Sequence, residues 1–214
     1  MKAIVIGATG LIGKELVRQL LDNSDYEEVV LLLRKSMGMS HSKLSEHIIN
    51  FDDPQTYKDL LQGDVLFCAM GTTIKKAGSQ AAFRKIDYQF VVDFAEIAQK
   101  NGVKQFSVVS SVGAKTNTTN FYLRTKGEME AAVSRLEFDA VHIFRPSLLL
   151  GNRGESRPGE KIGEFFFKVF GFLFFGSLKR YRPVQGSAVA KEMIDATFMG
   201  KRGINIVESE IIGK

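Results

Sequence analysis

Residues 1–13 read Met-Lys-Ala-Ile-Val-Ile-Gly-Ala-Thr-Gly-Leu-Ile-Gly, and this segment is the most informative part of the chain. The apolar run over residues 1–6 predicts a short buried strand, and the pattern of residues 14–21 predicts an amphipathic helix. Three glycines separate them with the spacing G-x-x-G-x-x-G: Gly7, Gly10 and Gly13. A strand, a glycine turn and a helix in this order are typical of a cradle for phosphate groups.

Each glycine has a separate physical task in such a turn. Gly7 lets the chain turn sharply, Gly10 places no side chain between the backbone and a pyrophosphate, and Gly13 lets the helix pack close to the strand. The unpaired N–H groups of the first helical turn and the helix dipole both favour an anion there. A purely structural glycine turn is the alternative, but the flanking strand and helix favour binding of a dinucleotide.

Length and composition are those of a compact α/β protein. We expect residues 1–214 to form a single NAD(P)-binding domain, to which residues 147–214 contribute a small substrate or lid lobe. No apolar run is long enough to cross a membrane, and no signal pattern opens the chain. The lone cysteine, Cys68, excludes an internal disulfide and fits a reducing compartment. These features predict a cytoplasmic location.

The charge distribution and the histidine spacing argue against a nucleic-acid-binding surface and against a metal site. The formal net charge is +5, but the Lys and Arg residues are dispersed, so we expect a solvated basic surface and no nucleic-acid partner. The three histidines, His41, His47 and His142, have no ligand-like spacing with one another or with Cys68. We therefore expect no metal site.

Strand and helix patterns alternate along most of the chain. The predicted strands cover residues 29–33, 47–51, 64–69, 105–109, 140–144 and 204–207. The predicted helices cover residues 54–61, 80–100, 120–136 and 186–199. Uninterrupted apolar strands alternating with helices indicate a parallel sheet covered on both faces. The fold class predicted is therefore α/β, a Rossmann-type doubly wound parallel sheet with a small C-terminal substrate lobe.

A tyrosine and a lysine four residues apart lie on one predicted helix. The pair is Tyr122 and Lys126, and residues at this spacing share a helix face. A free phenol is a poor base at neutral pH, but a nearby ammonium lowers its pKa. The pair can therefore move a proton to or from a substrate oxygen during hydride transfer. An exposed tyrosine with no such task is the alternative explanation of this short pattern.

Two serines end the strand predicted at residues 105–109. Ser110 and Ser111 would lie at the carboxyl end of the sheet, where ligands of open α/β folds bind. A serine hydroxyl there can hydrogen-bond a substrate carbonyl or hydroxyl. A serine pair that merely ends a strand is the alternative. The glycine turn, these serines and the Tyr-x-x-x-Lys pattern nevertheless occur in the order that such chemistry requires.

With these residues in place, the chain resembles the short-chain dehydrogenase/reductase superfamily in its extended or atypical branch. Within that branch it is most similar to the Tat-interacting oxidoreductase family. The matching stretches are residues 7–10, 68–73, 76–78, 110–111, 122–128, 144–146 and 155–160. The segments at residues 71–73 (Gly-Thr-Thr) and 155–160 (Glu-Ser-Arg-Pro-Gly-Glu) are the narrower motifs and carry the closer assignment.

The resemblance implies a role for each matching residue. Ser111 would be the active-site serine, with Ser110 as the less favoured candidate, and Tyr122 would be the acid/base. Lys126 would assist Tyr122 and hold the nicotinamide ribose. The residues around the pyrophosphate would be Gly7, Thr9, Gly10, Leu11, Ile12 and Gly13. Gly71 and Thr72 would line the cofactor cleft, Pro146 would flank the nicotinamide, and both Tyr122 and Lys126 would also contact the cofactor.

The end of the second strand bears on which cofactor is bound. An acidic residue there would favour NAD, but the chain carries Arg34 and Lys35. Arg34 can make a forked contact with a 2′-phosphate, so NADP(H) is favoured over NAD(H). Many relatives carry an aspartate that contacts adenine, and Asn50, followed by Phe51, stands at that position here. We assign both residues to the adenine end of the cofactor site.

Much of the aromatic content lies in one run, Phe165 to Phe175. One interpretation is a helix that packs on the sheet and forms a pocket wall, which would suit an apolar substrate. The other is an exposed surface for a protein partner or a membrane surface, since the run is too short to span a bilayer. The chain itself is expected to be a monomer or a homodimer.

The function predicted is that of an NADP(H)-dependent oxidoreductase that transfers hydride between a carbonyl and an alcohol on a small-molecule substrate. A first alternative is a regulatory scaffold that binds NADPH with little or no catalysis, which the family resemblance allows. A second is an enzyme like the sugar-nucleotide epimerases, which use the same tyrosine chemistry. The small lobe disfavours the second, because it lacks an evident site for another nucleotide.

Overall fold

The computed structural model describes residues 1–151 and 180–213. Its strands are β1 (Lys2–Ile6), β2 (Glu28–Leu33), β3 (Leu44–Ile48), β4 (Val65–Cys68), β5 (Gln105–Val109), β6 (Ala140–Arg145), β7 (Leu149–Leu150), β8 (Val184–Gln185) and β9 (Gly203–Glu208). Its α-helices are α1 (Leu11–Asp22), α2 (Ile74–Ala77), α3 (Gln80–Arg84), α4 (Phe90–Lys100), α5 (Phe121–Val133) and α6 (Gly186–Phe198). Short 3-10 turns cover Pro54–Thr56 and Lys58–Leu60.

Seven parallel strands form the main sheet in the order β3-β2-β1-β4-β5-β6-β9. The order reverses between β1 and β4, and the crevice outside the carboxyl ends of the strands at such a point is where open α/β sheets bind ligands. The two short strands β7 and β8 pair separately. The predicted Rossmann-type doubly wound sheet is confirmed.

Helices cover both faces of this sheet, which explains why the central strands β1 and β4 carry apolar side chains on both faces. Residues 3–6 of β1 are all fully buried. On one face the core contains side chains of α1 and α6, and on the other it contains side chains of α4 and α5. Central strands buried on both sides contain uninterrupted apolar runs, as parallel sheets require.

The predicted helix over residues 80–100 is divided in the structure. A π-helical turn, Lys85–Gln89, separates α3 from α4. Within it lies Asp87, which is fully buried. A buried carboxylate needs partners, and a π turn shifts the positions of the side chains around it. The single regular helix was therefore the wrong prediction at its centre, although both ends agree.

Two smaller predictions near the β3 edge also differ. The third strand was expected over residues 47–51 but lies at Leu44–Ile48, where Glu46 pairs with Leu31 of β2. As an edge strand it is only partly buried, so it lacks the apolar run by which the others are found. The helix expected over residues 54–61 consists of the two 3-10 turns.

The described residues of the C-terminal part return to the main fold. Helix α6 packs on α1, and β9 extends the sheet beside β6. The expected loop over residues 151–159 and the aromatic run Phe165–Phe175 fall outside the described residues, except for Gly151. The boundaries predicted for the small lobe stay a prediction. Across residues 1–151 and 180–213, no helix is both long and apolar enough to cross a membrane.

Candidate functional site

The glycine turn is packed too closely for any residue with a side chain at two of its positions. Gly7 has a left-handed backbone (φ +80°), and a Cβ added there would lie 2.6 Å from backbone atoms of Ala69 and Met70. A Cβ at Gly13 would lie 2.1 Å from the carbonyl oxygen of Gly7. The turn is closed by a hydrogen bond from the Gly10 amide to the Gly7 oxygen, 3.1 Å long. The N-terminus of α1 is thereby held against the carboxyl ends of β1 and β4.

The first turn of α1 is open to a ligand. Its N-cap is Gly10, which makes no side-chain capping bond, and no acidic residue lies in the first turn. Thr9 and Gly10 are exposed, whereas Ile12 is buried against the core. Free amides at an exposed helix start favour an anion. These residues therefore fit the pyrophosphate of a dinucleotide.

Leu11 joins this turn to the C-terminal part of the chain. A Cβ at Gly151 would lie 2.7 Å from Cδ1 of Leu11, and one at Gly186 would lie 3.0 Å from its Cγ. Both glycines thus make room for the Leu11 side chain. Leu11 is the first residue of α1, and its side chain packs between α1 and the start of α6.

Lys126 and Asp87 form a buried ion pair beside the end of β4. The Lys126 Nζ lies 2.8 Å from Oδ1 of Asp87, and the two side chains are 3% and 0% exposed. The other carboxylate oxygen of Asp87 accepts a hydrogen bond of 2.9 Å from the Thr72 amide. A Cβ at Gly71 would lie 3.6 Å from Asp87 Oδ1 and 4.0 Å from Lys126 Nζ. Gly71 and Thr72 therefore lie directly against the ion pair.

The ammonium of Lys126 stays charged although it is buried. Burial alone would lower its pKa, but the negative charge of Asp87, together with Tyr122 and a hydrogen bond to Asp87, raises the pKa above its usual value. The Nζ also lies 3.4 Å from the carbonyl oxygen of Val109, at the end of β5. Lys126 is thus a fixed cation at the carboxyl edge of the sheet.

Helix α5 presents Tyr122 and Lys126 from one face. Asn120 caps the helix by accepting a hydrogen bond of 3.1 Å from the Leu123 amide. The ring of Tyr122 is half-buried and lies 5.3 Å from that of Phe83 in α3. Tyr122 contributes to the raised pKa of Lys126, so the two side chains of the predicted pair lie near each other.

The loop after β5 carries the two serines. Ser110 is buried, and its hydroxyl has no hydrogen-bond partner among the described residues. Ser111 is half-buried, and its hydroxyl makes only a long contact of 3.4 Å with the carbonyl oxygen of Val112. The Val112 amide donates to Pro146, 3.0 Å away, which holds this loop beside the end of β6. Among the described residues, each hydroxyl therefore keeps the capacity for a further hydrogen bond.

Close packing joins this loop to α5. A Cβ at Gly127 would lie 2.4 Å from the carbonyl carbon of Lys115. The Lys115 amide donates a hydrogen bond of 3.1 Å to the carbonyl oxygen of Leu123. The serine loop and the helix that carries the tyrosine are therefore fixed relative to each other.

The residues predicted for the adenine end of the cofactor lie at the β2–β3 side of the sheet. Arg34 and Lys35 are exposed after β2, and the Arg34 guanidinium carbon lies 5.8 Å from the centre of the Phe51 ring. Phe51 in turn packs edge-to-face on Phe94. Asn50 is exposed, but its side-chain oxygen already accepts a hydrogen bond of 3.0 Å from the Asp52 amide. Its side chain is therefore partly committed to a turn.

Asp87 is the residue of this site that the sequence analysis missed. It contacts Lys126 directly and fixes the amide of Thr72. A signal was present, because Asp87 lies four residues after Phe83 and three before Phe90, on the apolar side of the predicted helix. A carboxylate at such a position needs a buried cation as its partner. In the part of the chain that is described, no three His, Cys, Asp or Glu side chains are grouped to hold a metal ion.

A family model described as NAD(P)H-binding matches residues 7–165, which begin at the glycine turn. The chain belongs to this NAD(P)H-binding family. Protein HTATIP2 from Rattus norvegicus is 37% identical to this chain over 167 residues, which cover 76% of the chain and 69% of the relative. The resemblance to the Tat-interacting oxidoreductase family is thereby confirmed.

Other relatives of this NAD(P)H-binding protein are fungal. Protein FMP52, mitochondrial, from Candida albicans is 32% identical over 212 residues, covering 96% of the chain and 90% of the relative. Further fungal relatives carry the same mitochondrial description. The predicted cytoplasmic location is wrong on this evidence from relatives. A single cysteine and an ordinary charge balance do not distinguish the cytosol from other reducing compartments.

Solved structures similar to this NAD(P)H-binding protein share its fold. MoeE5 in complex with UDP-glucose and NAD has a TM-score of 0.73 and 18% identity, covering 97% of this chain and 75% of that one. UDP-glucose 4-epimerase from Thermotoga maritima has a TM-score of 0.72 and 17% identity, covering 97% and 77%. A short-chain dehydrogenase family protein from Francisella tularensis has a TM-score of 0.65 and 15% identity, covering 98% of both chains. These neighbours support the Rossmann fold.

Proposed function

We propose that this protein is an NADP(H)-dependent oxidoreductase of the atypical short-chain dehydrogenase type, which interconverts a carbonyl and an alcohol. One observation supports this most strongly. Ala69 touches the glycine turn at Gly7, and Gly71, two residues further on, lies against the buried ammonium of Lys126. A single short segment after β4 therefore connects the proposed pyrophosphate cradle to the proposed catalytic lysine. The two ends of one dinucleotide would lie along this segment.

The chemistry follows from the roles of three side chains. A bound nicotinamide supplies or accepts the hydride. During reduction the phenol of Tyr122 donates a proton to the substrate oxygen, and during oxidation the deprotonated phenolate of Tyr122 accepts that proton. The hydroxyl of Ser111 donates a hydrogen bond to the same oxygen and orients it. Lys126 supplies a fixed positive charge beside Tyr122, and Asp87 holds that charge in place.

The preference for NADP(H) rests on Arg34. Its guanidinium is exposed at the end of β2, and within the described ranges it has no carboxylate partner in an ion pair. Its contact with the Phe51 ring orients the planar fork, which suits bidentate binding of a 2′-phosphate. Lys35, which is also exposed, adds a second positive charge. Asn50 and Phe51 remain the residues proposed at the adenine.

The substrate is proposed to be a small carbonyl compound or alcohol of apolar character. That character, and a protein partner as the alternative, both rest on the run Phe165–Phe175. An aldehyde, ketone or quinone has the carbonyl oxygen that Ser111 and Tyr122 would bind.

The direct test is calorimetric titration of the purified protein with NADPH and with NADH, followed by a screen of aldehydes, ketones and quinones for NADPH oxidation. We expect tighter binding of NADPH and turnover of at least one carbonyl class. Binding without any turnover would favour the regulatory scaffold instead. Interconversion of a sugar nucleotide without net cofactor oxidation would favour the epimerase alternative. The absence of binding to either cofactor would overturn the proposal.

A further inference from the structure

The chain that follows Arg34 and Lys35 turns back onto strand β3, where it meets a carboxylate. The hydroxyl of Ser36 donates a hydrogen bond to Oε2 of Glu46. The amide of Met37 lies 3.3 Å from each of the two carboxylate oxygens of Glu46. Glu46 therefore accepts hydrogen bonds from the Ser36 hydroxyl and the Met37 amide, which follow the two basic residues in the chain.

The Ser36 hydroxyl and the Met37 amide form an anion site that the protein's own Glu46 carboxylate occupies. A phosphate group and a carboxylate both present oxygen acceptors to hydroxyl and amide donors. The Ser36 hydroxyl also accepts a hydrogen bond of 2.9 Å from the Gly38 amide, so its proton is directed to Glu46. The donors that follow Arg34 and Lys35 are consequently occupied by a negative charge before any ligand arrives.

We propose that Glu46 is a specificity-determining residue that weakens binding of the 2′-phosphate and so moderates the preference for NADPH over NADH. This inference rests on the proposed function, in which Arg34 and Lys35 bind that phosphate. Glu46 opposes them in two ways. Its charge repels a phosphate dianion at the end of β2, and it withholds the Ser36 and Met37 donors from the ligand.

The size of the effect follows from the distance between the groups. Ser36 is two residues beyond Arg34, so the two Cα atoms lie no more than about 7 Å apart, and the Glu46 carboxylate and a phosphate bound by Arg34 are expected to lie on the order of 10–15 Å apart. At that separation two like charges near a protein surface still repel measurably, and salt screens the repulsion. Loss of the Glu46 charge is expected to tighten NADPH binding about fivefold while leaving NADH binding unchanged.

The test compares Glu46→Gln with the parent protein by calorimetric titration with NADPH and NADH at low and at high salt. Glutamine keeps an oxygen acceptor for Ser36 but carries no charge. We expect the ratio of NADH Kd to NADPH Kd to rise about fivefold at low salt and less at high salt. Glu210→Gln removes an exposed carboxylate beyond the opposite edge strand β9 and is expected to leave the ratio unchanged.

A second variant separates charge from loop geometry. Ser36→Ala breaks the contact with Glu46 but retains the carboxylate, so the ratio is expected not to rise. An unchanged ratio in Glu46→Gln, or an equal rise in Ser36→Ala, would overturn the inference. If either of these results were found while the parent still bound both cofactors, only the inference about Glu46 would fall, and the proposed function would stand. If the parent bound neither cofactor, both would fall.

Discussion

The carboxylate of Asp87 lies 2.8 Å from the ammonium of Lys126, and both side chains are almost completely removed from solvent. The same carboxylate holds the amide of Thr72, after the end of β4. One residue on the π-helical turn thus joins α5 to the loop after β4. Its contacts place the predicted catalytic lysine at the carboxyl edge of the sheet, although Asp87 belongs to none of the motifs by which such sites are found.

Replacing Asp87 is expected to destabilise the protein strongly, because a buried ammonium would lose its counter-charge. Asp87→Ala should lower the free energy of unfolding by about 3–5 kcal/mol, as is typical when one partner of a buried pair is removed. Urea unfolding followed by circular dichroism measures this change. The double variant Asp87→Ala/Lys126→Met should recover part of the loss, since no unpaired charge remains.

The matched control for this pair is Asp195→Asn in α6. Asp195 forms an ion pair with Lys191, but the Lys191 and Asp195 side chains are 70% and 41% exposed. Exposed pairs contribute little, so the unfolding midpoint should scarcely move. Equal effects of Asp87→Ala and Asp195→Asn would show that the Asp87–Lys126 contact does not stabilise the site.

Tyr122→Phe is expected to remove the proton donor while leaving the fold intact. The ring and its contact with Phe83 persist, so the variant should still bind NADPH, with at most a small loss of affinity from the missing Tyr122 hydroxyl. Turnover of any carbonyl substrate found in the screen should fall about 10²–10⁴-fold, the range expected for loss of general acid catalysis. The control is Tyr88→Phe. Tyr88 lies on the π turn, and its ring packs under the guanidinium of Arg84. Undiminished turnover in Tyr122→Phe would refute the acid/base role.

Arg34→Gln tests the proposed contact with the 2′-phosphate. The variant removes the charge and the fork of donors, so NADPH binding should weaken about tenfold or more, as expected for a lost charge-assisted hydrogen bond. NADH has no 2′-phosphate, and its binding should change little. Calorimetry with both cofactors gives the comparison. A parallel loss of NADH affinity would instead assign Arg34 to a part of the cofactor that both share.

The buried side chain of His142 is expected to make the stability of the protein depend on pH. It is buried in β6, and burial together with the charge of Lys201 lowers its pKa below the usual value. Below about pH 6.5 the unfolded chain therefore binds a proton that the folded protein resists, so stability falls with falling pH by up to about 1.4 kcal/mol per pH unit. Above that range His142 contributes no pH dependence. In urea unfolding experiments, the free energy of unfolding of His142→Gln should decline less steeply than that of the parent as the pH falls from 7 to 5. A decline as steep as that of the parent would contradict this role of His142.

The sequence predicted those elements that are determined by local pattern. Strand β5 has the predicted bounds of residues 105–109, because Phe106, Val108 and Val109 are buried and polar serines follow the strand. The glycine turn was predicted with its geometry, since only glycine tolerates the backbone of Gly7 and the close approach at Gly13. Signals of this kind lie within a few residues of one another.

What the sequence did not predict depends on residues far apart in the chain. Strand β3 took its position from pairing with β2, and its polar residues gave no apolar run. The π turn at Lys85–Gln89 is explained only once Asp87 meets Lys126, which is 39 positions later in the numbering. The contact between Glu46 and Ser36 likewise requires that β3 be paired in its observed register.

The proposed function depends on binding of a dinucleotide's pyrophosphate by the amides at the start of α1. Gly10 has the extended backbone of an ordinary N-cap (φ −76°, ψ 174°), so aspartate can occupy it as a favourable helix cap. A Cβ there would lie 3.3 Å from the Gly7 oxygen, which requires only a small adjustment. Gly10→Asn is the neutral control of the same shape.

The decisive measurement is therefore NADPH titration of the parent, Gly10→Asp and Gly10→Asn, with thermal unfolding as the check on folding. We expect both variants to remain folded. NADPH affinity should fall at least about tenfold further in Gly10→Asp than in Gly10→Asn, because the new carboxylate occupies the anion site and repels the pyrophosphate. NADPH binding by folded Gly10→Asp as tight as that of the parent would show that the pyrophosphate does not bind at the start of α1.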